Sequence, residues 1–174
     1  MNQHDMTRNM VLAALFAALT AIGAFLQIPT GTVPITLQFL FTALAGLLLG
    51  WKWGAVSQLL YVGIGLLGLP VFTQGGGIGY VLQPSFGFLL GLIPAAAVIG
   101  ALTARRTGYL TVLAAVLVGD LILYAVGVPY MYLILHVYMQ SAKTFPTLLA
   151  AMLVYVPGDT LKIVVVTALV PVLR

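Results

Sequence analysis

The chain has 174 residues, of which 62% are hydrophobic and 6% are charged, and its mean hydropathy is +1.16. Soluble domains carry about 25% charged residues, so this composition excludes a soluble globular protein. Cysteine is absent, which excludes disulfides, thiolate metal sites and cysteine nucleophiles. The net charge of +4 comes from basic residues scattered singly near the ends of apolar segments, a pattern typical of membrane topology rather than of nucleic-acid binding.

Six apolar windows are candidates for membrane-spanning helices, since about 20 apolar residues cross a bilayer and fewer suffice where loops complete the span. They are residues 10–26, 36–49, 54–69, 86–103, 109–126 and 157–173. We therefore expect an all-α integral membrane bundle of six helices, with residues 1–174 forming a single domain. An even number of spans puts both termini on one side, and the positive-inside rule makes that side cytoplasmic. Six basic residues lie near the ends of the windows. We expect Lys143 outside and the other five inside, namely Arg8, Lys52, Arg105, Arg106 and Arg174.

The first window carries small residues at helical spacing. Ala13, Ala17 and Ala21 follow one another at every fourth position, and such a stripe lets another helix approach closely in lipid. The stripe favours docking of a partner helix. Packing inside the bundle is the alternative.

Polar residues stand at the mouth of the second window. The preceding loop, residues 27–35, contains Pro29 and Pro34 and is not expected to be helical throughout. Thr36 and Gln38 follow it directly. Polar groups at membrane depth need partners, which the backbone, neighbouring side chains or a ligand can supply.

A glycine run follows the third window. Gln74 precedes Gly75, Gly76 and Gly77, and Tyr80 ends the run after a further glycine. Backbone N–H groups in such a run can converge on a bound polar group. The run is not a phosphate-binding P-loop, because the required Lys-Ser/Thr is missing. We expect a lid or a cavity lining, with a flexible external loop as the alternative.

The fifth window contains an acid, Asp120. It can be protonated, reach water near the outer end, pair with Lys143 or hydrogen-bond a substrate, and the sequence leaves these alternatives open. The stretch 128–156 that follows is rich in Tyr, Leu and Met, so we expect short helices at the outer membrane interface. His136 stands alone there, and we assign it no role in metal binding.

The last window begins with Pro157 and contains Asp159 and Lys162, an acid and a base three positions apart. Each charge near the bilayer centre costs about 2.5–3.5 kcal/mol on insertion scales, whereas residues at this spacing share a helix face and can offset each other. Proline suits the first turn of a helix, and an acid suits its positive end. We predict a wall of a solute-binding site, and an ion pair that only locks helix packing is the alternative.

Four blocks of the chain, in this order, together resemble the BioY family, the biotin-specific substrate-binding subunits (S components) of energy-coupling factor (ECF) transporters. They are Val33-Pro34-Ile35-Thr36-Leu37-Gln38, Gly68-Leu69-Pro70-Val71-Phe72 with the glycine run, Pro84-Ser85-Phe86-Gly87-Phe88, and Pro157-Gly158-Asp159-Thr160-Leu161-Lys162. In the third block the family usually shows Pro-Thr/Ser-Gly-Gly-Tyr, whereas Phe86 and Phe88 here replace a glycine and the tyrosine.

The resemblance implies a six-helix S-component fold in the cell membrane of a prokaryote. It further implies capture of biotin from outside, and coupling to a membrane T subunit and two cytoplasmic ATPases. The stripe of Ala13, Ala17 and Ala21 would dock the T subunit. The positions that match Asp159 and Lys162 are associated with biotin binding. Biotin would be a transported substrate, and neither an enzyme activity nor a cofactor is expected.

The chemistry of biotin suggests roles for the candidate residues. A carboxylate such as Asp159 can accept the ureido N–H donors, and Gln38 or Gln74 can serve the ureido carbonyl. Lys162 or the backbone of residues 75–77 can hold the valeryl carboxylate. Thr36 and Tyr80 complete the predicted set of substrate-binding residues.

Two other classes of function compete with this reading. A stand-alone or proton-coupled small-solute carrier would use Asp120 as its proton site. An intramembrane enzyme would use Asp120 and Asp159 as an acid/base pair. Its support is weak, because the sequence offers no nucleophile, metal cluster or cofactor motif beside them.

Overall fold

The computed structural model describes residues 3–30, 33–105 and 108–169. Within these ranges the chain forms an all-α bundle, as predicted. The six α-helices are α1 (Gln3–Phe25), α2 (Gln38–Leu66), α3 (Phe86–Thr103), α4 (Tyr109–Leu133), α5 (Phe145–Ala151) and α6 (Val156–Leu169).

Helix α2 is folded back on itself at Gly50, whose φ of 76° and ψ of 179° are not helical. Gln38 Nε2 donates to the Tyr61 hydroxyl at 2.7 Å, and the Thr42 hydroxyl donates to Gln58 Oε1 at 3.0 Å. In a straight helix residues 38 and 61 would lie about 35 Å apart. The limbs 38–49 and 51–66 are therefore antiparallel neighbours, and they correspond to the second and third predicted windows.

The helices pack in sequence order, with α1 against α2, α2 against α3 and α3 against α4, while α6 lies on α4 and α2. Glycines allow the closest approaches. A Cβ on Gly100 near the end of α3 would overlap the backbone of Gly50 and Trp51. The α2 reversal, with Lys52, therefore lies at the same end of the bundle as the end of α3, beside Arg105.

The helix bounds can be set beside the six predicted windows. Helix α3 covers residues 86–103, the same range as its window, whereas α4 continues past residue 126 to Leu133. In the described part of the chain, four helices are long and apolar enough to cross a membrane, or five if the bent pair Phe145–Val154 and Val156–Leu169 is one span. Residues 170–173 of the last window, and Arg106 and Arg174 of the charge count, lie outside the described residues.

The end of the bundle opposite the α2 reversal is closed by short segments. After α1 the strands Gln27–Ile28 (β1) and Ile35–Thr36 (β2) pair antiparallel. After α4 come a π-helical turn (Ile134–Tyr138), α5 and a 3₁₀ turn (Met152–Val154). Their placement at the outer membrane interface stays a prediction. The β1–β2 loop packs into this end through Val33, which belongs to a buried apolar cluster with residues of α4, α5 and the 3₁₀ turn, among them Met131 and Leu148.

The glycine run forms a compact turn over the end of α2. Phe72 and Gly75 exchange backbone hydrogen bonds of 2.9 and 3.3 Å, and the Gly77 N–H donates to Gly65 O at 2.7 Å. Gly75 and Gly77 have φ values of 111° and 97°, which favour glycine. The turn buries the Phe72 ring against Tyr61 and Tyr80, with ring centroids 5.5 and 4.6 Å away. The loop is therefore ordered by its own backbone bonds and by aromatic packing.

Candidate ligand-binding site

A cavity opens between α2, α3, α4 and α6 on the side of the β1–β2 loop. It encloses about 620 Å³ of empty space, including its open mouth. Its lining comprises Val33, Pro34, Ile35, Thr36, Gln38, Phe39, Thr73, Tyr80, Ser85, Phe88, Leu89, Leu92, Leu123, Tyr124, Met152, Tyr155, Asp159 and Lys162.

An ion pair on α6 forms one wall of the cavity. Lys162 Nζ lies 2.5 Å from Asp159 Oδ1, and the two residues keep only 8% and 6% of their surface exposed. Helix α6 begins at Val156, so Asp159 stands in its first turn, close to the positive end of the helix dipole. The helix end and the lysine thus both stabilise the buried carboxylate.

Each member of the pair has a further partner on another segment. The Tyr124 hydroxyl on α4 donates to Asp159 Oδ2. Lys162 Nζ donates to the Thr36 backbone carbonyl of β2 at 3.2 Å. Three segments therefore meet at the pair and satisfy both charges inside the protein, as buried charges require.

Thr36 and Gln38 extend the polar wall from the pair towards α2. The Thr36 hydroxyl donates to Gln38 Oε1 at 2.8 Å, and Gln38 Nε2 in turn donates to the Tyr61 hydroxyl. Tyr61 donates to Val71 O at 3.0 Å. Because the amide oxygen and nitrogen both have fixed partners, the orientation of the Gln38 side chain is set before any ligand enters.

A second polar group in the cavity is made of hydroxyls. Thr73 Oγ1 lies 2.8 Å from the Tyr80 hydroxyl, which lies 3.4 Å from Ser85 Oγ. These residues come from the segment that joins α2 to α3. These hydroxyls carry no formal charge, and they can donate hydrogen bonds to an acceptor on a ligand.

The remaining walls are apolar. Phe88 stands on α3 with its ring edge-to-face to Tyr124, the centroids 6.0 Å apart. Phe39, Leu92 and Leu123 are buried around it. The cavity therefore combines a broad apolar surface with two groups of polar side chains, the arrangement usual for binding a small amphipathic solute.

The structure brings together Thr36, Gln38, Tyr80, Asp159 and Lys162, five of the residues predicted to bind substrate, in this one cavity. Gln74 is exposed, and it and Gly75, Gly76 and Gly77 do not line the cavity. The N–H groups of Gly75 and Gly77 are engaged by Phe72 O and Gly65 O.

The predicted docking stripe on α1 is turned largely inward. Ala13 and Ala17 are buried, Ala21 is partly buried, and Ala14 and Ala18 beside them are exposed. The structure thus gives the first two alanines a packing role inside the chain.

Four polar lining residues, Thr73, Ser85, Tyr124 and Tyr155, were not among the predicted site residues. Ser85 lies in one of the quoted sequence blocks, and that was a usable signal. Thr73 adjoins the glycine run, whereas Tyr124 and Tyr155 lie in stretches whose composition resembles that of a buried core. Phe86, one of the two departures from the family pattern, is buried between Tyr80 and Tyr130, and the other, Phe88, lines the cavity.

The helical bundle and its cavity, which is partly polar and lies among apolar helices, define a membrane-embedded solute-binding protein. Comparison with known proteins gives the family. The BioY family model matches residues 1–174, and the chain belongs to this family.

The relatives are biotin transporters. The chain is 52% identical over 147 residues to the "Probable biotin transporter BioY" of Lysinibacillus sphaericus, covering 83% of this chain and 75% of that one. It is 42% identical over 170 residues to the "Biotin transporter BioY" of Rhodobacter capsulatus, covering 92% and 90%.

A solved structure shares the whole fold. It is the crystal structure of the S-component for biotin from an ECF-type ABC transporter, with a TM-score of 0.87 and 30% sequence identity, and the match covers 100% of this chain and 94% of that one. The fold is therefore that of an ECF S component, as the sequence resemblance implied.

Proposed function

We propose that this chain is the high-affinity biotin-binding S component of an ATP-driven vitamin uptake transporter, and not an enzyme. The observation that carries the proposal is the buried Asp159–Lys162 pair in the wall of an otherwise largely apolar cavity. Family membership and the names of the relatives agree with it.

The two polar groups of the cavity match the two ends of biotin. The carboxylate of Asp159 accepts the ureido N–H donors in charge-assisted hydrogen bonds, while Lys162, Thr36 and Gln38 face the ureido carbonyl. The valeryl carboxylate then lies at the opposite end, where hydroxyls such as that of Tyr80 can donate to it. The thiolane ring and the aliphatic chain contact the apolar walls between.

Gln74 and the glycines 75–77 have a supporting role in this proposal and do not act as a lid. They stand outside the cavity lining. Their turn, however, follows Thr73 and leads into Tyr80, and both of these residues contribute hydroxyls to the cavity. We propose that the turn positions these hydroxyls and that its backbone does not itself bind the ligand.

The partners of the chain are proposed to be a membrane T subunit and two cytoplasmic ATPases, because the chain carries no nucleotide-binding motif of its own. Residues 14, 18 and 21 share one face of α1. Ala14 and Ala18 are exposed on that face and Ala21 is partly exposed at its edge, whereas Ala13 and Ala17 are buried. We place the docking surface for the T subunit on the face of Ala14 and Ala18.

The orientation follows from the positive-inside rule. The α2 reversal with Lys52 lies beside the end of α3 and Arg105. Because successive helices run in opposite directions, Arg8 near the start of α1 lies at the same end of the bundle. We propose that this end is cytoplasmic, in a prokaryotic cell membrane, and that the cavity opens outward.

The experiment that tests the function is calorimetry of the detergent-purified chain with biotin. We expect tight binding with one biotin per chain. A chain that binds no biotin but still transports it in vesicles would overturn the S-component proposal.

One observation favours the carrier alternative. Asp120 Oδ1 is buried without a hydrogen-bond partner among the described residues. In a proton-coupled carrier it would hold the transported proton. Uptake in vesicles that contain the chain alone, driven by a pH gradient and lost in Asp120→Asn, would support that function.

A further inference from the structure

A second cavity adjoins the candidate ligand site at the outward end of the bundle. It encloses about 570 Å³ of empty space, including its mouth. Its lining comprises Thr30, Met131, Lys143, Thr147, Leu148, Ala151, Met152, Val154 and Tyr155. Met152 and Tyr155 also line the first cavity, so these two side chains form the partition between the two spaces.

The chemistry of the second cavity suits an aliphatic anion. Lys143 contributes a cation at its exposed rim and, within the part of the chain that the structure describes, forms no ion pair. Thr30 and Thr147 add hydroxyls, and residues such as Leu148 and Ala151 form an apolar wall. A carboxylate on a short aliphatic chain would find both a cation and an apolar surface here.

The partition is held by hydrogen bonds to the β1–β2 loop. The Tyr155 hydroxyl lies 2.8 Å from Thr30 Oγ1 and donates to Val33 O. Met152 beside it is an unbranched side chain that changes rotamer readily. Movement of these two side chains is therefore the step that would connect the two spaces.

We propose that the second cavity is an outer vestibule that receives the aliphatic carboxylate end of the incoming vitamin, with Lys143 as the attracting cation. The inference rests on the proposed function, because it takes the vitamin to be the ligand of the inner cavity. The vestibule acts on the approach of the ligand. In the bound state the vitamin lies in the inner cavity, where Asp159 and Lys162 contact its ureido end, opposite the carboxylate.

This division of roles has a kinetic signature. A charge at the rim of a site changes the association rate and its salt dependence, whereas contacts in the bound state govern dissociation. Lys143→Gln should therefore slow the association of biotin about three- to tenfold at low ionic strength and leave its dissociation rate unchanged. Salt should reduce the difference, because it screens an exposed charge.

The test uses surface plasmon resonance on the full chain in nanodiscs of zwitterionic lipid. Biotin is compared with biotin methyl ester, which has the same rings and chain but no negative charge. Lys143→Gln should slow biotin and leave the ester unaffected, and Lys143→Arg should restore the wild-type rate. Lys52→Gln, at the opposite end of the bundle, serves as the matched control.

Three outcomes would overturn the proposal. Unchanged association of biotin with Lys143→Gln, while the wild-type chain binds biotin normally, would overturn the vestibule alone. Equal slowing of biotin and the ester would assign Lys143 a structural or lipid-anchoring role. Failure of the wild-type chain to bind biotin would overturn the proposed function and the vestibule with it.

Discussion

Asp159 and Lys162 pair within one turn of α6, with 2.5 Å between Oδ1 and Nζ, and both face the same cavity. A pair this close acts as a single polar group at one end of the space. It cannot hold the ureido ring and the carboxylate of biotin at the same time, because these lie at opposite ends of the molecule. The cluster of hydroxyls on Thr73, Tyr80 and Ser85 is available to bind the other end of the molecule.

Asp159→Asn should weaken biotin binding sharply. The substitution keeps the shape of the side chain. It replaces a carboxylate oxygen, which accepts hydrogen bonds, by an NH₂ group, which donates them. Hydrogen bonds to charged groups contribute about 1.5–3 kcal/mol, so we expect the dissociation constant to rise about ten- to a hundredfold. Calorimetry in detergent measures it. Asp5→Asn is the matched control, because Asp5 is exposed on the first turn of α1. Equal affinities of the two variants would remove Asp159 from the site.

Tyr124→Phe should also weaken binding, about tenfold. The change removes only the hydroxyl that donates to Asp159 Oδ2, and the net contribution of one such bond is about 1.5 kcal/mol. Without this donor the carboxylate keeps its contact with Lys162 but loses the second contact that orients it in the cavity. The dissociation constant for biotin reports the effect. Tyr109→Phe, at the exposed start of α4, should bind like the wild type. A Tyr124→Phe variant with wild-type affinity would contradict the positioning role.

The sequence identified the polar side of the site because polarity stands out against an apolar background. Asp159, Lys162, Thr36 and Gln38 sit in or beside apolar windows, where each needs a partner. Their presence in one cavity agrees with that physical argument. The all-α bundle was also predictable. A long apolar segment that crosses the bilayer must satisfy its own backbone hydrogen bonds, and an α-helix does so.

Other parts of the site depend on contacts that local patterns do not encode. Tyr124 and Asp159 are separated by 35 positions and meet only because α4 packs against α6. The glycine run suggested N–H groups free to bind a ligand. Its backbone instead bonds to Phe72 and Gly65, because a turn with satisfied backbone groups is favoured near an apolar interior.

Substitutions on two faces of α1 should separate packing from docking. Ala17 is 4% exposed and belongs to the apolar core, so Ala17→Leu should overpack the bundle and lower its stability by about 1–3 kcal/mol. Ala18 is exposed, so Ala18→Leu should preserve folding and biotin binding but block the close approach of the T subunit. Thermal unfolding and co-purification of the T subunit measure the two effects. Normal assembly of the Ala18→Leu variant would exclude this face.

Gly50→Ala should destabilise the bundle without changing the site. With φ 76° and ψ 179°, Gly50 occupies a region open almost only to glycine, and a side chain there costs about 1–3 kcal/mol. Space is not the obstacle, because no atom lies within 4 Å of the added Cβ. Gly63→Ala is the matched control. That position also has open space but lies inside the helical second limb of α2, where alanine is favoured by about 0.5–1 kcal/mol. We expect a lower unfolding temperature for Gly50→Ala and an equal or higher one for Gly63→Ala, with the wild-type affinity for biotin in both. Equal stability of Gly50→Ala and the wild type would mean that α2 does not reverse through this residue's left-handed conformation.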